Sequence, residues 1–259
     1  MTKIARRHVL ATLAKGAAGL PLAVVLADSG LARAAAADLE PVSITLADGH
    51  AVKAVLALPA TTPAPAVLLV HEWWGLNDQI KAVAADLARE GYLALAIDLY
   101  DGAVATTPAG ARALMGKVDG DRATATLAAW IDWLRARPDA TGKVGTVGWC
   151  FGGGWSLIAA LARPVEATVV YYGRVDETAT QLAPLAGPVL GHFATRDGWI
   201  DRPMVKGFAR AMKAAGKSLT AYWYEADHAF ANPSGGRYDA ADAALAWRRT
   251  LAFFKDRLG

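Results

Sequence analysis

Short apolar runs alternate with amphipathic segments along most of this chain. The run from Pro65 to Val70 contains no polar side chain, which is typical of a strand buried on both faces of a sheet. The segment that follows repeats apolar residues at helical spacing, has Asn77 or Asp78 as its cap, and ends at Gly91. The same patterns predict strands over 42–46, 52–58, 92–97, 144–148, 167–172, 189–194 and 219–224, and helices over 123–137, 153–162, 204–215 and 240–258.

This alternation predicts a single-domain α/β fold with a mostly parallel central sheet and helices on both faces. The first two strands flank Asp48-Gly49 and are expected to pair as a hairpin. The stretch from Asp101 to Asp121 is expected to cover the sheet edge as a loop with a short helix. Because such sheets place their sites at the carboxyl ends of the strands, the loops at that edge should hold the functional side chains.

The first 37 residues follow a different pattern and predict an export signal. Arg6 and Arg7 lie in a basic head, a weakly apolar stretch follows, and the small residues around Ala34 suit a signal peptidase. The arginine pair resembles a twin-arginine signal, which exports folded proteins through the Tat machinery. We therefore expect a cleaved signal peptide over 1–37, a mature domain over 38–259, and a periplasmic or secreted location.

An amphipathic leader or an uncleaved anchor helix is the alternative for this segment. Lys15, Pro21 and Asp28 interrupt its apolar stretch, which argues against stable membrane insertion. Residues 1–37 carry a net charge of +4 and the whole chain +3, so residues 38–259 are near −1. Since the excess positive charge lies in the predicted signal, no basic patch remains for a nucleic-acid partner.

The segment from Gly148 to Gly152 carries the most informative chemistry. It reads Gly-Trp-Cys-Phe-Gly between a predicted strand and a predicted helix, and it matches the G-x-S-x-G nucleophile elbow with sulfur in place of oxygen. The helix N-terminus should favour a thiolate, and the backbone N–H of Phe151 should face a developing oxyanion. Cys150, the only cysteine, is therefore predicted to be a nucleophile. The alternative is an inert buried cysteine in a glycine-rich turn.

The histidines and aspartates downstream of Cys150 supply candidate partners. His228 follows the strand 219–224 and is predicted to be the base, whereas His192 lies inside an apolar strand and is expected to be packed or hydrogen-bonded. Asp197 also follows a strand end and is predicted to orient His228. Two other acids remain as alternatives: Asp176 and Asp201.

Five motifs in this order resemble the dienelactone hydrolase family, from about residue 41 to the C-terminus. They are HEWWGLND at 71–78 with DLY at 98–100, GWCFGG at 148–153, YYG at 171–173, GHFATRDGWI at 191–200 and HAFANP at 228–233. The resemblance implies an α/β-hydrolase fold and a carboxymethylenebutenolidase-like activity on an ester or lactone. It implies a triad of Cys150, Asp197 and His228. Acyl transfer through such a triad needs no metal or organic cofactor, and the histidines show no H-E-x-x-H motif.

The resemblance also assigns roles beside the triad. It implies that Glu72 bonds the resting thiol and takes part in its ionisation when substrate arrives, and that the N–H of Trp73 is the second oxyanion donor. The alternative for Glu72 is a salt-bridged loop residue. Tryptophans that flank the motifs are candidates for an apolar pocket wall, although tryptophan is more often a core residue: Trp73, Trp74, Trp149 and Trp199.

The chain departs from the family at the substrate carboxylate. Family members hold that carboxylate with two arginines, and the corresponding positions here are Gly102 and Asn232. The substrate therefore need be neither a dienelactone nor an anion. Arginines elsewhere in the chain are possible replacements, although the sequence places none of them in the pocket: Arg112, Arg122, Arg174 and Arg237.

Two functions from different classes remain open at this point. The leading one is hydrolysis of an ester or lactone through a thioester acyl-enzyme on Cys150. The other is non-catalytic binding of a small ligand on the same scaffold, which would not need Asp197 and His228 in register with the thiol. A thiol redox role is disfavoured because the chain has no second cysteine.

Overall fold

One eight-stranded sheet organises the protein, whose structure is a computed structural model describing residues 20, 22–37 and 39–259. The spatial order is β1-β2-β4-β3-β5-β6-β7-β8, with antiparallel pairs at β1–β2 and β2–β4 and parallel pairs elsewhere. The strands are β1 (Glu40–Thr45), β2 (Ala51–Ala57), β3 (Ala64–Val70), β4 (Leu93–Ile97), β5 (Ala140–Trp149), β6 (Ala167–Tyr171), β7 (Val189–Ala194) and β8 (Leu219–Tyr224).

Helices cover both faces of this sheet. They are α1 (Leu22–Ala27), α2 (Ser29–Ala36), α3 (Asp78–Arg89), α4 (Pro108–Met115), α5 (Gly120–Ala136), α6 (Phe151–Ala162), α7 (Ala179–Leu182), α8 (Arg202–Ala214) and α9 (Ala240–Leu258). One apolar core joins the sheet to α3 and α9, and a second joins its other face to α5, α6 and α8. The predicted single-domain α/β fold, with its hairpin and mostly parallel sheet, is confirmed.

The differences from the predicted elements are shifted helix ends and one additional short helix. Helix α5 begins at Gly120 rather than at residue 123, because the Asp119 carboxylate accepts the backbone N–H of Arg122 at 2.9 Å and caps the helix. Helix α6 begins directly after Cys150 instead of at residue 153. Helix α7 was not predicted, although its capping box, formed by Thr178 and Gln181, is visible in the sequence.

Part of the predicted export signal packs against the α/β domain. Helices α1 and α2 contact α3, the side chains of Val25 and Ala34 are fully buried, and Asp28 caps α2. The arginine pair Arg6-Arg7 lies outside the described residues. No helix in the described part of the chain combines the length and apolar character needed to cross a membrane. Cleavage of this segment remains a prediction.

Candidate active site

Cys150 lies on a sharp turn between β5 and α6. Its backbone has φ +54° and ψ −115°, a left-handed conformation that costs a non-glycine residue about 1–3 kcal/mol. A Cβ at Gly148 would overlap the carbonyl oxygen of Gly152, and a Cβ at Gly152 would overlap that of Val70. The turn therefore requires both glycines and holds the thiol at the carboxyl edge of the sheet.

The loops after β7 and β8 bring an aspartate and a histidine to this thiol. His228 Nε2 lies 3.1 Å from Cys150 Sγ, and His228 Nδ1 lies 2.6 Å from Asp197 Oδ2. The other Asp197 oxygen accepts the backbone N–H groups of Trp199 at 2.8 Å and Ile200 at 3.0 Å. Because the carboxylate is anchored at both oxygens, the imidazole ring is held with one nitrogen facing the thiol.

The charges of this group follow from burial and hydrogen bonding. Burial alone would raise the pKa of Asp197, but the hydrogen bonds from His228, Ile200 and Trp199 outweigh it and leave that pKa below its ordinary value. Burial and the Glu72 charge raise the pKa of Cys150 to about 12, although the backbone N–H of Phe151 acts to lower it. The helix N-terminus therefore does not suffice for a thiolate, and the sulfur of Cys150 is a neutral thiol at neutral pH.

The two alternative acids have other partners. Asp201 caps α8, where its side chain accepts the backbone N–H of Met204 at 2.9 Å. Asp176 pairs with Arg174 at 2.8 Å on the surface. Of the three aspartates, Asp197 is therefore the one in contact with His228.

His192 is a buried core residue, as expected. Its Nδ1 lies 2.8 Å from the hydroxyl of Tyr224, and its Nε2 lies 3.1 Å from that of Thr250. Burial and the charge of Arg249 lower its pKa to about 3, so the ring is neutral at physiological pH.

Glu72 is buried beside the thiol but hydrogen-bonds elsewhere. Its carboxylate accepts the hydroxyl of Tyr172 at 3.3 Å and the side-chain amide of Asn232, while the thiol contacts His228. This arrangement differs from the expected bond between Glu72 and the resting thiol, and also from a salt bridge. Burial raises the pKa of Glu72 despite these bonds. Asn232, whose side-chain amide is neutral, thus bonds Glu72 at the position where the family resemblance implied an arginine.

Replacing Glu72 by glutamine is expected to lower the pKa of the Cys150 thiol, because a charge that opposes thiolate formation is removed. Since the thiolate is the reactive form, iodoacetamide should alkylate Cys150 faster at every pH below that pKa. Rates measured across a pH series test this. Tyr172→Phe, which removes one hydrogen bond and keeps the charge, is the control; equal or slower alkylation of Glu72→Gln would contradict the charge effect.

The two predicted oxyanion donors are the backbone N–H groups of Phe151 and Trp73. Phe151 opens α6, so its backbone N–H has no acceptor within the helix. Within the described residues, the structure records no protein acceptor for the backbone N–H of Trp73. The Trp73 N–H thus has the free donor capacity that the predicted role requires, whereas the Phe151 N–H interacts with the Cys150 sulfur. The oxyanion role of both groups remains a prediction.

The four tryptophans occupy different surroundings. Trp199 is 64% exposed, and its ring packs edge-on against His228 at 5.1 Å between centroids. Trp149 is buried and stacks on Tyr171. Trp73 and Trp74 contact each other at 5.0 Å. Trp199 therefore lies at the mouth of the site, whereas Trp149 faces the interior.

One of the four arginines considered as replacements lies beside the site. The guanidinium of Arg237 is 5.3 Å from the ring centroid of Trp199, which itself contacts His228. Arg122 lies 3.6 Å from Asp48, and Arg174 pairs on the surface. Among the residues that the structure describes, no group of three or more histidine, cysteine or acidic side chains is arranged to hold a metal ion.

A cysteine on a strand-to-helix elbow, in contact with a histidine that an aspartate orients, is the arrangement of an α/β hydrolase. The model of the dienelactone hydrolase family matches residues 52–258 of this chain. The chain therefore belongs to the dienelactone hydrolase family.

Individual relatives agree with this assignment. The carboxymethylenebutenolidase of Pseudomonas putida is 32% identical over 229 residues, covering 83% of this chain and 95% of the relative. Carboxymethylenebutenolidase 1 of Cupriavidus pinatubonensis is 28% identical, covering 83% and 97%. The crystal structure of the dienelactone hydrolase-like promiscuous phosphotriesterase P91, from metagenomic libraries, has a TM-score of 0.77 at 26% identity, covering 85% of this chain and 99% of that one.

Proposed function

We propose that this protein is a carboxylic ester hydrolase that cleaves an ester or lactone through a thioester on Cys150. The observation that carries the proposal is the hydrogen-bonded series from Asp197 through His228 to the thiol, at 2.6 and 3.1 Å. Membership of the dienelactone hydrolase family and the names of the carboxymethylenebutenolidase relatives support the substrate class. A protein that only binds a ligand has no need of this alignment.

In the first half of the reaction, Sγ of Cys150 attacks the carbonyl carbon and its proton passes to His228 Nε2. The carbonyl oxygen becomes an oxyanion held by the N–H groups of Phe151 and Trp73. When the tetrahedral intermediate collapses, the carbon–oxygen bond breaks, and the leaving alkoxide takes the proton from His228. The acyl group remains on sulfur as a thioester.

In the second half, a water molecule gives a proton to His228 and attacks the thioester carbonyl carbon. Collapse of this intermediate breaks the carbon–sulfur bond, releases the carboxylic acid, and returns the proton to sulfur. Asp197 stabilises the imidazolium that exists between the transfers, and it keeps the ring orientation through both. Each half of the reaction uses the same base and the same two N–H donors.

Trapping the acyl-enzyme tests the proposal directly. Wild-type protein mixed rapidly with p-nitrophenyl acetate should release a burst of p-nitrophenol, and mass spectrometry of the quenched mixture should find one acetyl group on the peptide that contains Cys150. Asn232→Asp, with a carboxylate added beside Glu72, should acylate more slowly, because added negative charge opposes the thiolate. Reversible binding of the ester without release of p-nitrophenol would instead favour the ligand-binding alternative.

We also propose that the protein reaches the periplasm or the exterior through the Tat machinery. The support is the sequence of residues 1–37, with its arginine pair and its small residues around Ala34. In a bacterial host with Tat export, replacing both Arg6 and Arg7 by lysine should retain the protein in the cytoplasm. Cell fractionation measures this, and an unchanged distribution would exclude the twin-arginine route.

A further inference from the structure

Trp199 presents an exposed aromatic ring at the mouth of the candidate active site. All nine tryptophans lie in the described part of the chain, and Trp199 alone is exposed, at 64%. A single exposed apolar side chain is common on protein surfaces and by itself indicates nothing. What distinguishes Trp199 is its edge-on contact with the ring of His228, at 5.1 Å between centroids.

The position of this indole is fixed by several contacts. The backbone N–H of Trp199 donates to Asp197 at 2.8 Å, and the N–H of the buried Ile200 donates to the same oxygen at 3.0 Å. On the ring itself, the guanidinium of Arg237 lies 5.3 Å from the centroid. Because the ring is already ordered, a ligand that packs against it costs little further side-chain entropy.

The charge of Arg237 indicates that this ring borders the approach to the thiol. Burial is the main cause that raises the pKa of both Cys150 and Glu72, and the charge of Arg237 acts to lower both. A guanidinium that acts on both groups lies close to them, since exposed charges are screened over longer distances. Trp199, which contacts both Arg237 and His228, therefore lies beside the entrance to the thiol.

A mainly apolar cavity of about 480 Å³ lies between α1, α3 and α9, away from the reacting groups. Glu72 and Trp149 line it, but none of the three triad side chains does. Its roof is α1, which lies within the segment predicted to be removed on export. The mouth beside Trp199, by contrast, is in direct contact with the base.

The leaving group of the ester is the part of the substrate that can meet this ring. In the proposed reaction His228 Nε2 gives its proton to the leaving oxygen, which must then lie about 3 Å from that nitrogen. Aromatic rings pack favourably with their centroids about 4.5–7 Å apart. A flat ring bonded to the leaving oxygen can therefore pack against the indole of Trp199 while the ester carbonyl stays at the thiol.

We propose that Trp199 determines specificity by packing against an aromatic leaving group, so that the enzyme prefers esters of phenols and other aromatic alcohols to esters of aliphatic alcohols. This inference rests on the proposed ester hydrolysis and adds a substrate class to it. An aromatic ring gains a ring contact with the indole and a cation–π contact with Arg237, whereas an alkyl chain gains apolar contact alone.

The kinetic test compares 2-naphthyl acetate with ethyl acetate in wild type and in Trp199→Ala. The intrinsic reactivity of each ester cancels when the variant is divided by wild type. Trp199→Ala should lower kcat/KM for the naphthyl ester about tenfold more than for the ethyl ester. Trp199→Phe keeps an aromatic ring and should restore most of this difference. Equal losses on the two esters in Trp199→Ala would overturn the proposal.

The guanidinium contact is tested by a matched pair of arginine variants. Arg237→Gln should lower the preference for the naphthyl ester about threefold, because a cation–π contact at an exposed site is weak. Arg202 also lies over an indole, 4.6 Å from the ring centroid of Trp223. Arg202→Gln should therefore keep the wild-type preference, and an equal fall in both variants would contradict a local effect of Arg237.

A binding measurement separates this inference from the hydrolase proposal. Calorimetry should detect binding of 2-naphthyl acetate to Cys150→Ala, and adding Trp199→Ala should weaken that binding about tenfold without changing the thermal unfolding midpoint. Hydrolysis of both esters with no dependence on Trp199 overturns the specificity role and leaves the hydrolase proposal standing. If no ester is hydrolysed, the hydrolase proposal fails, and naphthyl ester binding that is insensitive to Trp199→Ala overturns the aromatic contact as well.

Discussion

Replacing either Cys150 or His228 by alanine is expected to lower kcat/KM for p-nitrophenyl acetate by a factor on the order of 10⁴ or more. The first change removes the atom that bonds to the acyl carbon, and the second removes the acceptor that lies 3.1 Å from the thiol. The effect of the second should be large because the pKa of Cys150 is raised to about 12 by burial and the Glu72 charge. Little thiolate exists at neutral pH without a base.

The double variant provides the decisive control for this pair. When two groups act in the same step, removing both lowers the rate about as much as removing either one. Cys150→Ala combined with His228→Ala should therefore be about as inactive as either single variant. Steady-state rates and thermal unfolding midpoints of all three proteins measure this. A His228→Ala protein that keeps more than a tenth of wild-type kcat, or losses that multiply in the double variant, would remove His228 from the role of base.

Replacing Asp197 by asparagine is expected to lower kcat by about 10²–10⁴ while KM changes little. The asparagine keeps the size of the side chain, but its uncharged oxygen stabilises the imidazolium less, and its amide can turn the ring to the wrong tautomer. The pKa of Asp197 lies below its ordinary value because hydrogen bonds outweigh burial, so the carboxylate is charged throughout the neutral range. Loss of this charge in Asp197→Asn should therefore lower kcat at every pH at which the enzyme is active.

The alternative aspartate serves as the matched control. Asp201 caps α8 through the backbone N–H of Met204, so Asp201→Ala should destabilise the protein by about 1 kcal/mol and leave kcat unchanged. Kinetics and chemical denaturation of Asp197→Asn and Asp201→Ala, measured side by side, separate orientation of His228 from helix capping. A larger kcat loss in Asp201→Ala than in Asp197→Asn would reverse the assignment.

Local patterns accounted for the α/β fold, because each strand and helix carries its own hydrophobic period. Element ends were predicted less accurately, since they depend on caps such as the one that Asp119 provides for α5. Helix α7 was missed because four residues are too few for a periodic signal, although its capping box was present.

For the candidate site as well, the local features could be predicted from the sequence and the long-range contacts could not. The elbow around Cys150 could be recognised because the sharp turn demands glycines two residues before and after it, and both demands are local. The order of Asp197 and His228 followed from the strand ends on which they lie. By contrast, the sequence contained no sign that Asn232, 160 positions away, would bond Glu72, nor that Tyr172 would complete that group.

The sequence by itself thus determined the hydrophobic layers of the fold, the turn that presents Cys150, and the class of side chains that surrounds it. Only the tertiary structure decided which aspartate touches His228, that Glu72 bonds Asn232 and Tyr172 while the thiol contacts the imidazole, and that α1, α3 and α9 enclose an apolar cavity. The physical reason is one of range. Turns and periodic faces arise from neighbours along the chain, whereas hydrogen bonds and cavities depend on distances between segments that meet only after the sheet has formed.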